Sequence, residues 1–300
     1  MSNHESQNIN DQNIGSEFSR HWLLVLVCAV GIGVGVSALP FYTQGLFIEA
    51  WTAEFGWTRA QASLGILGST LALAAVLPFI GTIVDRYGLV TPIMISLLGL
   101  SLAYVLLGMF VQSIATFVML AMLQAILGSA SSPLAYTRAI NTVFSKQRGL
   151  ALGVALSGAG VAATFGPAFI SSAIDAFGWR GAYYAMAVFT LIMGTVIVIV
   201  LSRLKSATAA ANIDLQAARE DFKAAKASRT YWTIMVAIFC LSLGLGGLMI
   251  HFVPILLDVG FTTSEAVKVA GVIGIAVVLG RLLVGFAVDR IFAPRVAIGI

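Results

Sequence analysis

Charge is what this chain has least of. Of its 300 residues, 10% are charged and 59% are hydrophobic. A soluble domain carries roughly 25% charged residues. This composition cannot build a water-facing surface, so the chain belongs in a bilayer. Cysteine is scarce as well. Cys28 and Cys240 both fall inside apolar runs, which argues against a disulfide framework. The histidines have no Cys, Asp or Glu at ligand spacing, so no metal site is expected. No nucleophile–base pair or phosphate loop is present; the reading is not an enzyme and has no cofactor. The first 20 residues hold no apolar run, which excludes a cleavable signal peptide. Residues 1–21 read instead as a disordered cytoplasmic tail.

Acid is absent where it would matter most. All 13 acidic residues fall in tails, loops or span ends, and none sits in mid-membrane. Many proton-coupled carriers use a mid-membrane carboxylate as relay. Here no such relay is visible, and a site for an organic cation would lack its counter-charge.

What is present is a series of long apolar runs. A helix needs about 20 such residues to cross the hydrocarbon core. Spans are expected at 22–41, 62–83, 91–111, 115–142, 149–173, 181–202, 231–257 and 266–287, with a ninth beginning near Val296. Runs of this length without hairpin alternation are helices rather than barrel strands, so the fold class is an all-α polytopic membrane protein. Of 17 Lys and Arg residues, twelve fall on the side of the N-terminus and only Arg59, Arg180 and Lys268 on the other. The N-terminus is therefore placed in the cytoplasm. That placement accounts for the +4 net charge without a nucleic-acid partner. Trp22, Trp51, Trp57, Trp179 and Trp232 fall near span ends, as an aromatic belt requires.

The chain repeats itself. Gly81-Thr82-Ile83-Val84-Asp85-Arg86-Tyr87-Gly88 returns as Gly285-Phe286-Ala287-Val288-Asp289-Arg290. Positions 285 and 81, 289 and 85, and 290 and 86 all differ by 204, as do Gly260 and Gly56. A long repeat in a membrane chain marks duplicated halves, with the binding site between them. The expected organisation is a six-helix N-terminal half over 22–203, a cytoplasmic linker over 204–230 and a partial C-terminal half over 231–300. By the same repeat the counterpart of span six would end near 406, so the chain is expected to be cut short after about eight spans. Spans nine to twelve would lie beyond it.

The GxxxDRxG stretch between spans two and three resembles the loop signature of the major facilitator superfamily, over essentially the whole ordered length. Leu89 and Val90 stand where that family often has basic residues. Gly149-Leu150-Ala151-Leu152-Gly153 after Arg148, Ser157-Gly158-Ala159-Gly160, and Gly280-Arg281-Leu282 with Gly285 and Asp289 look like the monocarboxylate-porter branch and its oxalate/formate-antiporter relatives. The resemblance implies two six-helix halves rocking about a central site. It implies a carboxylate-binding role for Arg281. It also implies a conformational gate at Gly81, Asp85, Arg86, Gly88, Gly285, Asp289, Arg290 and Arg148, although Arg86 and Arg290 serve equally as positive-inside anchors. Proton-coupled animal members carry an Asp one turn before that Arg; here the position is Val277.

Two basic residues fall inside spans, Arg138 and Arg281. A guanidinium in a membrane normally has a partner or a function, and two cations without an acid make a site for an organic anion. Gln124, Gly128, Ser131, Ala135, Arg138 and Thr142 share one helical face at spacings of three and four, which adds Gln124 and Ser131 as substrate-binding candidates. Arg138 has two other readings, structural pairing and snorkelling to the headgroups. His251 in span seven is a possible proton site, with an interfacial histidine as the alternative. The sequence thus points to a secondary carrier of a small mono- or dicarboxylate, with a proton or counter-substrate as coupling partner. It would act as a monomer in the lipid bilayer of a bacterial inner membrane. The competing readings are a drug or amphiphile exporter of the same superfamily and a non-transporting membrane receptor.

Overall fold

The computed structural model describes residues 3–204 and 224–290; for residues 3–16 and for Ile250 only the backbone is described. The helices are α1 (Asn3–Val34), α2 (Leu39–Thr43), α3 (Phe47–Phe55), α4 (Arg59–Tyr87), α5 (Val90–Phe110), α6 (Ile114–Leu127), α7 (Pro133–Val143), α8 (Arg148–Arg203), α9 (Arg229–Asp258) and α10 (Thr263–Val288). No strand occurs among the described residues. Six of these helices are long and apolar enough to cross a membrane. The linker expected over 204–230 falls largely outside the described residues, as does the start of a ninth span.

Local sequence explains most helix starts. Thr58 and Gln61 form a reciprocal capping box at α4, and Ser113 with Thr116 does the same at α6. Thr262 and Glu265 cap α10 in the same way, 204 residues after Thr58. Such boxes satisfy amide groups that a helix start leaves orphaned. Gly56 and Gly260, the repeat-related glycines before α4 and α10, both have positive φ, 69° and 99°. The sequence repeat is thus a structural one at these two turns.

Two expected spans are broken by proline. Span 22–41 stops at Val34 and resumes as α2 with Pro40 in its first turn. Span 115–142 stops at Leu127, passes through a 3₁₀ turn over Ser129–Ser131 and restarts at Pro133. Proline has no amide proton and pushes the residue before it out of the helical region; Ser132 is extended, with φ −75° and ψ 160°.

Spans five and six share α8. Its 56 residues would reach about 84 Å if straight, against about 30 Å of hydrocarbon. The chain turns at Gly178, where φ is 70° and ψ 172°. The turn is a reversal, because Ala151 and Leu201 meet in one hydrophobic cluster, and Ile170 and Met186 meet in another. The first cluster lies at the end that carries Asp85 and Asp289, called the motif end below. The second lies at the opposite end.

The residues expected as a disordered tail join α1, which runs from Asn3. Glu17 accepts backbone N–H groups from Ser145, Lys146 and Gln147, and Phe18 and His21 lie against Phe144. These contacts hold the last turn of that segment, from Glu17 onward. The aromatic belt needs correction too. Trp22 and Trp232 are exposed, but Trp51, Trp57 and Trp179 are buried and face one another, Phe55 and Phe117 across ring distances of 4.5–6.4 Å. Packed aromatic rings prefer such offset and tilted geometries.

The contact that joins α10 to the first eight helices is made by small residues. A Cβ added at Gly285 would meet the Gly149 carbonyl at 2.5 Å, and one at Gly153 would meet the Arg281 carbonyl at 2.6 Å. Further along, Gly160 and Gly274 approach each other in the same way. The first half of α8 and α10 therefore touch backbone to backbone, which only small side chains permit.

Candidate functional site

Arg281 lies on α10 along this contact. It is half-buried, and its guanidinium donates a hydrogen bond to the Leu156 carbonyl of α8. Among the described residues no carboxylate lies within ion-pair distance of it. Tyr42 on α2 is near enough to interact with it electrostatically. A carbonyl tether orients a guanidinium but leaves its charge unneutralised, with donors to spare.

Beside α2, with Pro40, Phe41 and Thr43 in its wall, is a mostly apolar cavity of about 160 Å³. Its polar lining includes Thr43, Ser69, Thr70 and Gln124, and its aromatic lining includes Phe41 and Phe117. Gln124 is buried, beside the Tyr104 hydroxyl. No charged side chain lines the cavity. It can accept hydroxyl, amide or ring groups, but it offers nothing to balance an ion.

Arg138 is elsewhere. It pairs with Asp85 and also donates to the Gly81 carbonyl at 3.0 Å. The expectation of two arginines without acidic partners is thereby corrected. Asp85 sits at the end of the neighbouring helix, and an extended arginine reaches it from the span. Ser131 is fully buried in the break between α6 and α7. Its hydroxyl donates to Gly128 and accepts the Val36 N–H at 3.1 Å, while its own N–H reaches Ser96. The face shared by Gln124, Ser131 and Arg138 in an unbroken helix is divided by the break before Pro133. Gln124 opens on the cavity, Ser131 joins the α1–α2 connection, α5 and its own turn, and Arg138 goes to the motif end.

At the motif end, Asp289 accepts the N–H groups of Gly149 at 2.6 Å and Leu150 at 2.7 Å. Gly285 packs on Gly149 one turn away. Arg148 turns its side chain back to the carbonyls of Phe144 and Asn141. Arg86 lies over the Tyr87 ring and Arg290 over Phe286. Gly88 ends α4 with φ 75°. The opposite end carries a different contact. Arg59 on α4 and Asp258 at the end of α9 form a two-bonded ion pair. His251 Nε2 lies 3.5 Å from Ser63 Oγ, one helical turn after Arg59.

A model of the Major Facilitator Superfamily matches residues 18–300. The chain belongs to the major facilitator superfamily. The Multidrug resistance protein MdtG of Proteus mirabilis (strain HI4320) is 26% identical over 281 residues, which is 92% of this chain and 68% of that protein. MdtG of Serratia proteamaculans (strain 568) is 26% identical over 282 residues, 92% of this chain and 66% of the relative. Mouse Monocarboxylate transporter 12 is 24% identical over 188 residues, 52% of this chain and 39% of its own length. The chain spans about two thirds of the length of the MdtG relatives.

Membership makes this a multi-pass membrane protein of a transporter family rather than an enzyme. The GxxxDR part of the superfamily loop signature occurs twice, with Phe292 where the first copy has Gly88, and its two aspartates have different partners. Asp85 stays within the first eight helices on Arg138, while Asp289 crosses from α10 to the start of α8. Sequence reading did not find the Arg59–Asp258 pair. Nor did it find Glu54, which accepts from Trp179 Nε1 at 2.5 Å and Arg180 at 2.6 Å. The Trp179 hydrogen bond, followed by Arg180, holds the Glu54 carboxyl below the usual carboxylate range. Both contacts join residues at helix ends or beside the Gly178 turn, more than a hundred positions apart. The only sequence sign of them is opposite charge on the same side of the membrane.

Proposed function

We propose that the protein is a secondary transporter of a small organic anion, a mono- or dicarboxylate, which works by alternating access between two halves. The observation that carries this reading is Arg281. It is a half-buried guanidinium at the contact between α8 and α10, held by a carbonyl and without a carboxylate partner among the described residues. A substrate carboxylate completes its charge and takes its remaining donors in the bidentate geometry arginine favours. The cavity beside Gln124 receives an uncharged part of the substrate. Arg138 and Ser131 hold the scaffold. The likeness to Monocarboxylate transporter 12 over about half the chain supports the carboxylate branch. The excess of Lys and Arg supports a cytoplasmic N-terminus and motif end, and the bacterial relatives support an inner membrane. A proton or a counter-substrate drives the cycle, with His251 as the candidate proton site. The protein acts as a monomer.

A second reading has its own support. The MdtG relatives cover 92% of the chain. An apolar groove of about 570 Å³ between α1 and α8, with Phe165, Phe169 and Phe189 in its wall, suits an amphiphile. Uptake into proteoliposomes separates the two. Labelled carboxylates and lipophilic cations are compared for wild type and Arg281→Gln, with and without a pH gradient. The anion reading expects carboxylate uptake that the substitution lowers about tenfold or more at substrate levels below KM. Cation transport, or carboxylate uptake unaltered by Arg281→Gln, overturns it in favour of export.

A further inference from the structure

At the end opposite the motif, two segments related by the repeat face each other. One runs over residues 45–59, through α3 to the start of α4, and the other over residues 253–263, from the end of α9 to the start of α10. Between them lies a cavity of about 490 Å³, within the size range of small-molecule pockets. Its walls match in register. Glu49, Ala53 and Arg59 on one side each stand 204 positions before Val253, Leu257 and Thr263 on the other. The cavity is therefore built by the meeting of two copies of one turn.

The register matches, but the charge does not. Arg59 and Asp258 lie in the wall and neutralise each other. Glu54, the other carboxylate of α3, is taken by Trp179 and Arg180 outside the cavity. Glu49, in the first turn of α3, lies in the wall and is exposed. It makes no hydrogen bond or ion pair among the described residues. Its counterpart in the repeat is the buried Val253. A guest thus meets one net negative charge beside apolar walls that include Leu46, Ile48, Trp57 and Pro254. Such a site repels an anion and attracts a cation. A hard metal ion needs several oxygen ligands, and the described residues hold no group of three acids or other metal ligands. The guest that matches both the charge and the walls is an organic monocation with an apolar body.

We infer that this cavity is a binding site for an amphiphilic organic cation, separate from Arg281. Glu49 faces the cationic centre, and the apolar wall covers the body. A guest there touches both copies of the turn, so it holds α9 against α3 and α4 and keeps the Arg59–Asp258 contact together. The ligand acts as an effector at the opposite end and is not the cargo. The inference goes beyond the proposed function and does not rest on it.

Labelled tetraphenylphosphonium is the probe, measured by equilibrium binding to the purified protein. Wild type is expected to bind it saturably. Glu49→Gln should raise the Kd about fivefold, as one charge at contact distance in water implies. Ala53→Glu, one turn further along the same wall, should lower the Kd by about as much. The double variant should return close to wild type. A gain in affinity and a rescue cannot come from loss of fold. Added salt should shrink all three differences. In protein whose Cys28 and Cys240 are replaced by serine, bound probe should slow thiol labelling of Ser69→Cys from the opposite end several-fold. With Glu49→Gln the same slowing should need about five times more probe. Absence of saturable binding, a Kd indifferent to Glu49→Gln, a double variant no better than Glu49→Gln, or labelling unmoved by bound probe would overturn the inference. A cation bound elsewhere and carried as cargo gives the second of these results. Failure of the anion reading is read from carboxylate uptake by Arg281→Gln and leaves these affinities unaltered, so the two failures are told apart.

Discussion

Arg138 and Arg281 are the same residue type on two spans, and their surroundings give them different roles. Arg138 reaches Asp85 and the Gly81 carbonyl; Arg281 reaches only a carbonyl among the described residues. Removing Arg138 leaves Asp85 without its charge partner in a side-chain environment only 15% exposed. Arg138→Gln should therefore destabilise the protein by about 1–3 kcal/mol, seen as a lower melting temperature, while substrate KM stays unchanged. Arg281→Gln should do the reverse, with little change in melting and a KM raised about ten- to a hundredfold. Arg281→Lys should recover only part of the loss, since an ammonium cannot match a carboxylate bidentately. Equal effects of Arg138→Gln and Arg281→Gln on KM would return Arg138 to the binding site.

At the scale of elements, the important positions are where helices stop, turn and touch. Gly178 reverses α8 with φ 70°, and a Cβ there would meet no neighbouring atom within 4 Å. Gly178→Ala should cost about 1–3 kcal/mol through backbone strain alone, measurable by thermal unfolding in detergent. Gly285 presents the opposite case. Its backbone is ordinary, but a Cβ would press on the Gly149 carbonyl at 2.5 Å. Gly285→Ala should push α10 from α8 and favour the open motif end, which raised thiol labelling of Leu282→Cys would report. Little change in overall melting is expected, because the α8–α10 contact is one seam of the bundle.

For the whole molecule, the contacts at the two ends are unlike. The motif end is held by a carboxylate on a helix terminus and by glycines in backbone contact; the opposite end is held by an ion pair in solvent. The Arg59 hydrogen bond holds the Asp258 carboxyl below its usual range. A carboxylate with a lowered folded-state pKa stabilises the paired state above its ordinary value and loses that contribution as pH falls through the lowered one. Both side chains are about half exposed, so salt should weaken the pair as well. Labelling of Ser69→Cys, on the cavity beside α2, from the opposite end should accelerate with salt and below the usual aspartate range. Asp258→Asn should label fast at every pH. The pair Arg59→Asp with Asp258→Arg should restore protection. Labelling indifferent to all of these changes would remove the ion pair from the gate.

The sequence by itself determined the membrane class, the superfamily and the places of the spans. The class and the spans follow from composition and run length, which act locally along the chain; the superfamily follows from the resemblance of the GxxxDRxG stretch. The expected spans at 22–41 and 115–142 ran through the breaks before Pro40 and Pro133, and the helical-face argument, carried through the second break, misplaced Arg138 and Ser131 beside Gln124. Only the tertiary structure decided which charges meet. Arg138 found Asp85, Arg59 found Asp258, and the start of α8 found Glu17 and Asp289. Each pairing joins segments 53 to 199 residues apart. Charge is long-ranged and does not specify a partner by spacing, so packing of the helices had to choose. The unpaired state of Arg281 among the described residues, on which the proposed substrate depends, is a product of that choice.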